Sequence, residues 1–112
     1  MKKRRLTLLI LLCTVFIILQ QVLPYKLLAV KSGSMAPALP THSVIAITKR
    51  ERHLFQPGEI ITYHTGGRLV THRIIHVGFD GDVYYQTKGD ANRFPDSYHV
   101  RRQDVYGRVV YV

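Results

Sequence analysis

Several residue types are scarce or missing in this chain of 112: it has one cysteine, Cys13, no tryptophan, and only 7 acidic residues against 16 lysines and arginines. A single thiol cannot close an internal disulfide or build a cysteine-rich zinc site, so a disulfide scaffold is excluded. Charged residues make up only 21% of the chain and hydrophobic ones 46%, which excludes whole-chain disorder. There is no internal repeat, no low-complexity tract and no second long apolar run. A chain of this size holds one small domain and little more.

What it does have is one concentrated apolar segment. Leu6 to Leu19 contains twelve apolar residues in fourteen, broken only by Thr7 and Thr14, and Val22 and Leu23 extend it past Gln20 and Gln21. The 18 residues from Leu6 to Leu23, at ~1.5 Å each, make a helix of about 27 Å, close to the ~30 Å of a bilayer interior. Residues 1–24 are therefore expected to form a basic tip and a membrane anchor. Lys2, Lys3, Arg4 and Arg5 precede the run and predict a cytoplasmic N-terminus, with residues 25–112 on the other side. A cleavable signal peptide begins the same way, but the small-x-small candidates are poor: Ser32-Gly33-Ser34 lies well past the apolar core and Ala36-Pro37-Ala38 contains proline. An uncleaved anchor in a lipid bilayer is the favoured reading, with Tyr25 and Lys26 in the headgroup zone. Setting the four N-terminal charges aside leaves 12 basic and 7 acidic residues, a net +5, which argues against a nucleic-acid partner.

From Ser43 onward, β-rich runs alternate with turn residues, and nothing repeats at helical spacing. Expected strands are Val44 to Thr48, Ile60 to His64, Leu69 to Val77, Val83 to Thr87 and Val105 to Val112. Thr65-Gly66-Gly67 and Asp80-Gly81 supply hairpin turns. Pro57-Gly58 ends the basic stretch Lys49 to His53, and Asp90 to Tyr98 reads as a long loop of the kind that often carries function. The expected class is mainly β: a transmembrane helix followed by one small β domain.

Three constellations carry potential chemistry. Ser32-Gly33-Ser34-Met35-Ala36-Pro37 follows the anchor, and Ser-Gly-Ser alone is usually a flexible linker. Met35 and Pro37 make it less ordinary, because a nucleophile on a loop needs a stiff backbone and an apolar neighbour. In Val70-Thr71-His72-Arg73-Ile74, period-2 alternation puts His72 on one face with Val70 and Ile74. Most such histidines are half-buried and satisfied by a carbonyl. His72 and His76 would stand about 13 Å apart on a strand, too far to share a metal ion. In Thr87-Lys88-Gly89-Asp90-Ala91-Asn92, with Asp96 six residues after Asp90, the acids ordinarily cap backbone N–H groups, and one of them could instead orient a histidine. A serine needs a base that is unprotonated near neutrality. Histidine, with a reference pKa of ~6.5, qualifies unaided. A lysine must fall by about three pH units, roughly 4 kcal/mol of environmental work.

Taken together, S-G-S-M-x-P (Ser32 to Pro37), P-G-E-I (Pro57 to Ile60), H-R-I (His72 to Ile74), T-K-G-D-x-N (Thr87 to Asn92) and D-V-x-G-R (Asp104 to Arg108) cover nearly the whole chain behind the anchor. In this order they resemble the type I signal peptidases, specifically the endoplasmic-reticulum and archaeal type with a Ser-His-Asp site. The resemblance implies a small β-barrel-like domain of the signal peptidase/LexA type and a membrane-anchored serine endopeptidase that needs no cofactor or metal. It acts on preprotein signal peptides, with membrane partner subunits left open. It makes Ser34 the nucleophile and His72 the general base, where bacterial-type members carry lysine. Asp96 is the first choice for the acid that completes the site, with Asp90 a second acid that holds the loop or assists. Ser32 would help stabilise the oxyanion, and Met35 would adjoin the substrate. Where the family usually has a Gly-Asp turn, this chain has Pro40-Thr41-His42-Ser43.

Two other readings compete. One is a Ser/Lys protease related to the LexA-type self-cleaving repressors, using Lys88 or Lys31 as base, against which the His72-Arg73 pair speaks. The other is a membrane-tethered β module without catalysis, binding peptides or acidic surface polymers through Arg101, Arg102 and neighbours. Ten residues of chain beyond the anchor span at most about 35 Å, which keeps Ser34 near the membrane surface.

Overall fold

The computed structural model describes residues 1–48 and 54–112, so the basic stretch at 49–53 lies outside the described residues. The apolar run forms one helix, α1 (Lys2–Val22), with no residue buried against the rest of the chain. It is long and apolar enough to cross a membrane. Its two threonines do not interrupt it, because each hydroxyl bonds back one turn: Thr7 Oγ1 donates to the Lys3 carbonyl at 2.9 Å and Thr14 Oγ1 to that of Ile10 at 2.8 Å. The helix ends at Leu23, where the proline at position 24 prevents continuation.

The rest is antiparallel sheet: β1 (Tyr25–Ala29), β2 (Val44–Thr48), β3 (Ile60–Thr65), β4 (Arg68–Phe79), β5 (Val83–Lys88), β6 (His99–Arg101) and β7 (Val105–Tyr111). Among the described residues, seven strands replace the five expected. The five match the expectation closely, and β1 and β6 are additions. The strands run side by side in the order β1-β2-β7-β3-β4-β5-β6. Gly66 (φ 55°) and Gly67 (φ 74°) close the β3–β4 hairpin in the left-handed region that side chains avoid, and Thr65 faces Arg68 across it. Gly107 lets β7 cross β2, since a Cβ there would lie 1.9 Å from the Thr48 carbonyl oxygen. Next to it, Arg108 Nε pairs with Glu59 Oε2 at 3.2 Å, so the P-G-E-I and D-V-x-G-R segments meet.

Two buried clusters hold the sheet. One contains Met35, Leu39, Ile45 and Ile47, the other Phe55, Ile61, Tyr63, Ile74, Tyr85 and Val100. Period-2 alternation puts Ile45 and Ile47 on one face of β2 and leaves Val44 exposed. Burying each such side chain contributes about 1.5–3 kcal/mol. The Pro40–Ser43 turn forms without a Gly-Asp pair: His42 takes a positive φ of 68°, and Ser43 N–H and Oγ both donate to the Pro40 carbonyl, at 3.1 and 2.6 Å.

Candidate active site

The segment between β1 and β2 carries the Ser32–Pro37 motif, and it is not a free linker. Val30 N–H donates to the Ser43 carbonyl and His42 N–H to that of Val30, each at 2.8 Å, closing the base of the loop. Met35 and Leu39 anchor it in the core, 2% and 1% exposed. The Ser34 carbonyl accepts Ala91 N–H at 2.8 Å, which ties the loop to the β5–β6 connection. Gly89 makes this approach possible, because a Cβ there would stand 2.7 Å from the same carbonyl oxygen.

His72 lies on β4 opposite Ile61 of β3, on the inner face, and is 7% exposed. Its Nε2 is 3.1 Å from Ser34 Oγ, and its Nδ1 is 2.7 Å from Asp96 Oδ2. A carboxylate accepts only, so Nδ1 carries the proton and Nε2 is free to accept the Ser34 hydroxyl proton. Ser32 Oγ lies 3.0 Å from Ser34 Oγ; with the Ser34 proton directed to His72, Ser32 is the donor of that contact.

The two acids of the long loop part company. Asp96 meets His72, and the same Oδ2 accepts from Thr87 Oγ1 at 2.7 Å and from the Tyr63 hydroxyl at 3.2 Å. Asp90 turns the other way and takes a two-point pair from Arg73, Nε to Oδ1 at 2.9 Å and Nη2 to Oδ2 at 2.8 Å. That guanidinium holds the Asp90 carboxyl below the usual carboxylate range, and the carboxylate raises Arg73 in turn. Arg73 Nη1 also donates to the Gly58 carbonyl at 2.7 Å, and Asp90 N–H contacts Met35 Sδ at 3.3 Å. Desolvation by burial pushes the Tyr63 phenol far above its ordinary value, so it remains a protonated donor.

Ser34, His72, Asp96, Ser32 and Met35 all border an open cleft of about 940 Å³. One wall is formed by β1 with Val30 and Lys31, the other by the first half of β4, including Leu69 and Val70. Lys31 lines this cleft, whereas Lys88 Nζ donates to the Gly89 carbonyl at 3.1 Å; the side-chain partners of Ser34 Oγ are His72 and Ser32. Arg101, assigned to polymer binding in the non-catalytic reading, is engaged by Asp80 at 2.7 and 2.9 Å. No group of three or more potential metal ligands occurs among the described residues. Sequence reasoning missed Arg73, Tyr63, Thr87 and Tyr98 as neighbours of the site. Arg73 and Thr87 stood inside quoted motifs, while the two tyrosines carried no local signal.

No family model matches the chain. Among curated proteins it is similar to signal peptidase I W of Bacillus subtilis (strain 168), 37% identical over 84 residues, covering 72% of this chain and 44% of that protein. It is also similar to the signal peptidase complex catalytic subunit SEC11C of Homo sapiens, 31% identical over 93 residues, 73% of this chain and 48% of that one. A third relative is the signal peptidase complex catalytic subunit SEC11 of Yarrowia lipolytica (strain CLIB 122 / E 150), 34% identical over 73 residues, 62% and 42% of the respective lengths. The chain spans less than half the length of these curated relatives. Bacterial and eukaryotic relatives carry the same family name, and over the shared region this chain is a homologue of the type I signal peptidases.

Proposed function

We propose that the chain is a membrane-anchored serine endopeptidase that removes signal peptides from exported preproteins. The observation that carries the reading is the contact series Ser34 Oγ, His72 Nε2, His72 Nδ1, Asp96 Oδ2, with spacings of 3.1 and 2.7 Å about the ring. In this mechanism His72 takes the Ser34 proton as Oγ attacks the scissile carbonyl, then donates it to the leaving amine. Asp96 orients the imidazole and offsets its charge while it is protonated. As the oxyanion develops, Ser32 redirects its hydroxyl to it beside the Ser34 backbone N–H; loss of one such donor typically costs about 10²- to 10³-fold in turnover. Asp90 braces the loop through Arg73.

The substrate would bind extended. From Arg68 to His72, β4 pairs with β3 on one side, while its pairing with β5 begins only at Arg73. That leaves a strand edge facing the cleft, and the outer edge of β1 borders the cleft's other wall. The buried Met35 and Leu39 limit the depth of the cleft floor, which favours small side chains next to the cut. Helix α1 would hold the enzyme in the bilayer with its N-terminus cytoplasmic and its β domain outside, near the cleavage sites of membrane-held preproteins. Partner subunits in the membrane fit this arrangement.

Incubating the detergent-solubilised full chain with a preprotein, beside a Ser34→Ala variant, tests the proposal. Wild type is expected to release a shortened product, and the variant to lose at least about 10³-fold of that activity. Equal release from both would overturn it.

A further inference from the structure

Behind Asp96 lies a cluster of hydroxyls with no part in the mechanism above. Tyr63 and Thr87 are fully buried, on β3 and β5. Thr87 Oγ1 is 2.7 Å from Asp96 Oδ2, the Tyr63 hydroxyl is 3.1 Å from Thr87 Oγ1 and 3.2 Å from Asp96 Oδ2, and the Tyr98 hydroxyl is 2.8 Å from that of Tyr63. Tyr98 reaches the cleft.

Each hydroxyl has one proton, which restricts the directions. An ionised Asp96 cannot donate, so Thr87 gives its proton to Oδ2. Tyr63 has three acceptors within reach for its proton: Thr87 Oγ1, Asp96 Oδ2 and the Tyr98 hydroxyl. In the first two arrangements the Tyr63 proton serves the carboxylate side, and Tyr98 is then the donor of the Tyr98–Tyr63 bond. We infer that Thr87, Tyr63 and Tyr98 form a one-way hydroxyl relay, running from the cleft to Asp96, that fixes the carboxylate against His72 and shares its charge. These are positioning residues: they act through Asp96, and the inference rests on the reading of Ser34 and His72 as nucleophile and base. Two consequences follow. Tyr98 turns only acceptor lone pairs toward the cleft, where a backbone N–H of an extended peptide can meet them. Moreover, His72 competes with the relay for Asp96, so relay strength tunes the basicity of the imidazole.

The groups facing His72 are Ser34 from the β1–β2 loop, Tyr63 from β3, and Asp96 from the β5–β6 connection, with Tyr98 on the same connection reached through Tyr63. Asp90 acts on it more weakly from its pair with Arg73, and Lys31 lines the same cleft.

The test uses the full chain in detergent micelles. The His72 ring is titrated by NMR in wild type, Thr87→Val and Thr87→Ser, and preprotein cleavage is followed against pH. Valine keeps the shape and removes the donor; serine keeps the donor. In Thr87→Val the carboxylate is left to the imidazolium, so the His72 midpoint is expected to rise by about 0.5. The acid limb of kcat/KM should follow it, and kcat should fall about 10- to 100-fold with KM within about twofold. Thr87→Ser should titrate like wild type. Should Thr87→Val fail to fold, Tyr98→Phe at the cleft end carries the same readout, with a smaller rise. A folded Thr87→Val or Tyr98→Phe whose His72 midpoint matches wild type overturns the relay, whatever its melting temperature. Cleavage that does not depend on Ser34 overturns the proposed function instead, and the His72 titration still decides the relay.

Discussion

At its start, the connection between β5 and β6 holds Asp90 in a two-point pair with Arg73; six residues later it holds Asp96 against an imidazole and two buried hydroxyls. The first carboxylate is met by a full positive charge and is set beyond titration near neutrality. The second is met by a group that gains and loses a proton during the proposed reaction. The first end supports the proposed nucleophile through backbone, with Ala91 N–H on the Ser34 carbonyl and Asp90 N–H on the Met35 sulfur. The second supports the proposed base, His72, through its side chain. In the proposed mechanism one loop thus serves both Ser34 and His72, by rigid bracing at one end and charge sharing at the other.

Asp96→Asn breaks the second end and should have the largest effect. By analogy with other serine triads it should lower kcat about 10⁴-fold while the fold survives, read from steady-state kinetics and circular dichroism. Gly89→Ala strikes the join between the ends, since the added Cβ would sit 2.7 Å from the Ser34 carbonyl oxygen and 2.6 Å from Asn92 Nδ2. It should lower kcat about 10²-fold and stability by about 1–3 kcal/mol, seen in single-turnover cleavage and denaturant melts. Breaking the first end with Asp90→Asn should cost only about tenfold in kcat and about 1 kcal/mol of stability.

The smallest effect is in pH. Arg73 lowers the Asp90 pKa on folding, so the pair contributes stability fully above the unfolded carboxylate value of ~3.9 and loses it as pH falls through the folded value. Melts of wild type and Asp90→Asn should therefore differ at pH 7 and converge in the acid range. A gap that widened toward low pH would contradict the assigned ion pair.

Most of the sheet was legible because β2, β3, β4, β5 and β7 are bounded by turn residues and carry an alternating or β-branched pattern. β1 was not: Tyr-Lys-Leu-Leu-Ala stands behind the anchor, with Tyr25 and Lys26 expected in the headgroup zone, but it has no alternating pattern of its own, and its strand character comes from pairing with β2. β6, three residues long, owes its existence to the register with β5. At the site, Ser34 and His72 could be picked from motifs 38 positions apart, but only the folded chain brings their atoms to 3.1 Å. Residue types near Asp90 and Asp96 could not separate the two acids. What divides them is that Arg73 and His72 are adjacent on β4 and so point to opposite faces of the strand. Tyr63 and Thr87 read as ordinary strand residues, and their hydroxyls gain meaning only when β3 and β5 flank the same carboxylate.

The central claim is that His72, and no lysine, removes the proton from Ser34. Preprotein cleavage by wild type, His72→Ala, Lys31→Ala and Lys88→Ala tests it directly. The account predicts a loss of at least about 10³-fold for His72→Ala and near-wild-type rates for both lysine variants. Cleavage that survives in His72→Ala and vanishes in Lys31→Ala or Lys88→Ala would contradict it.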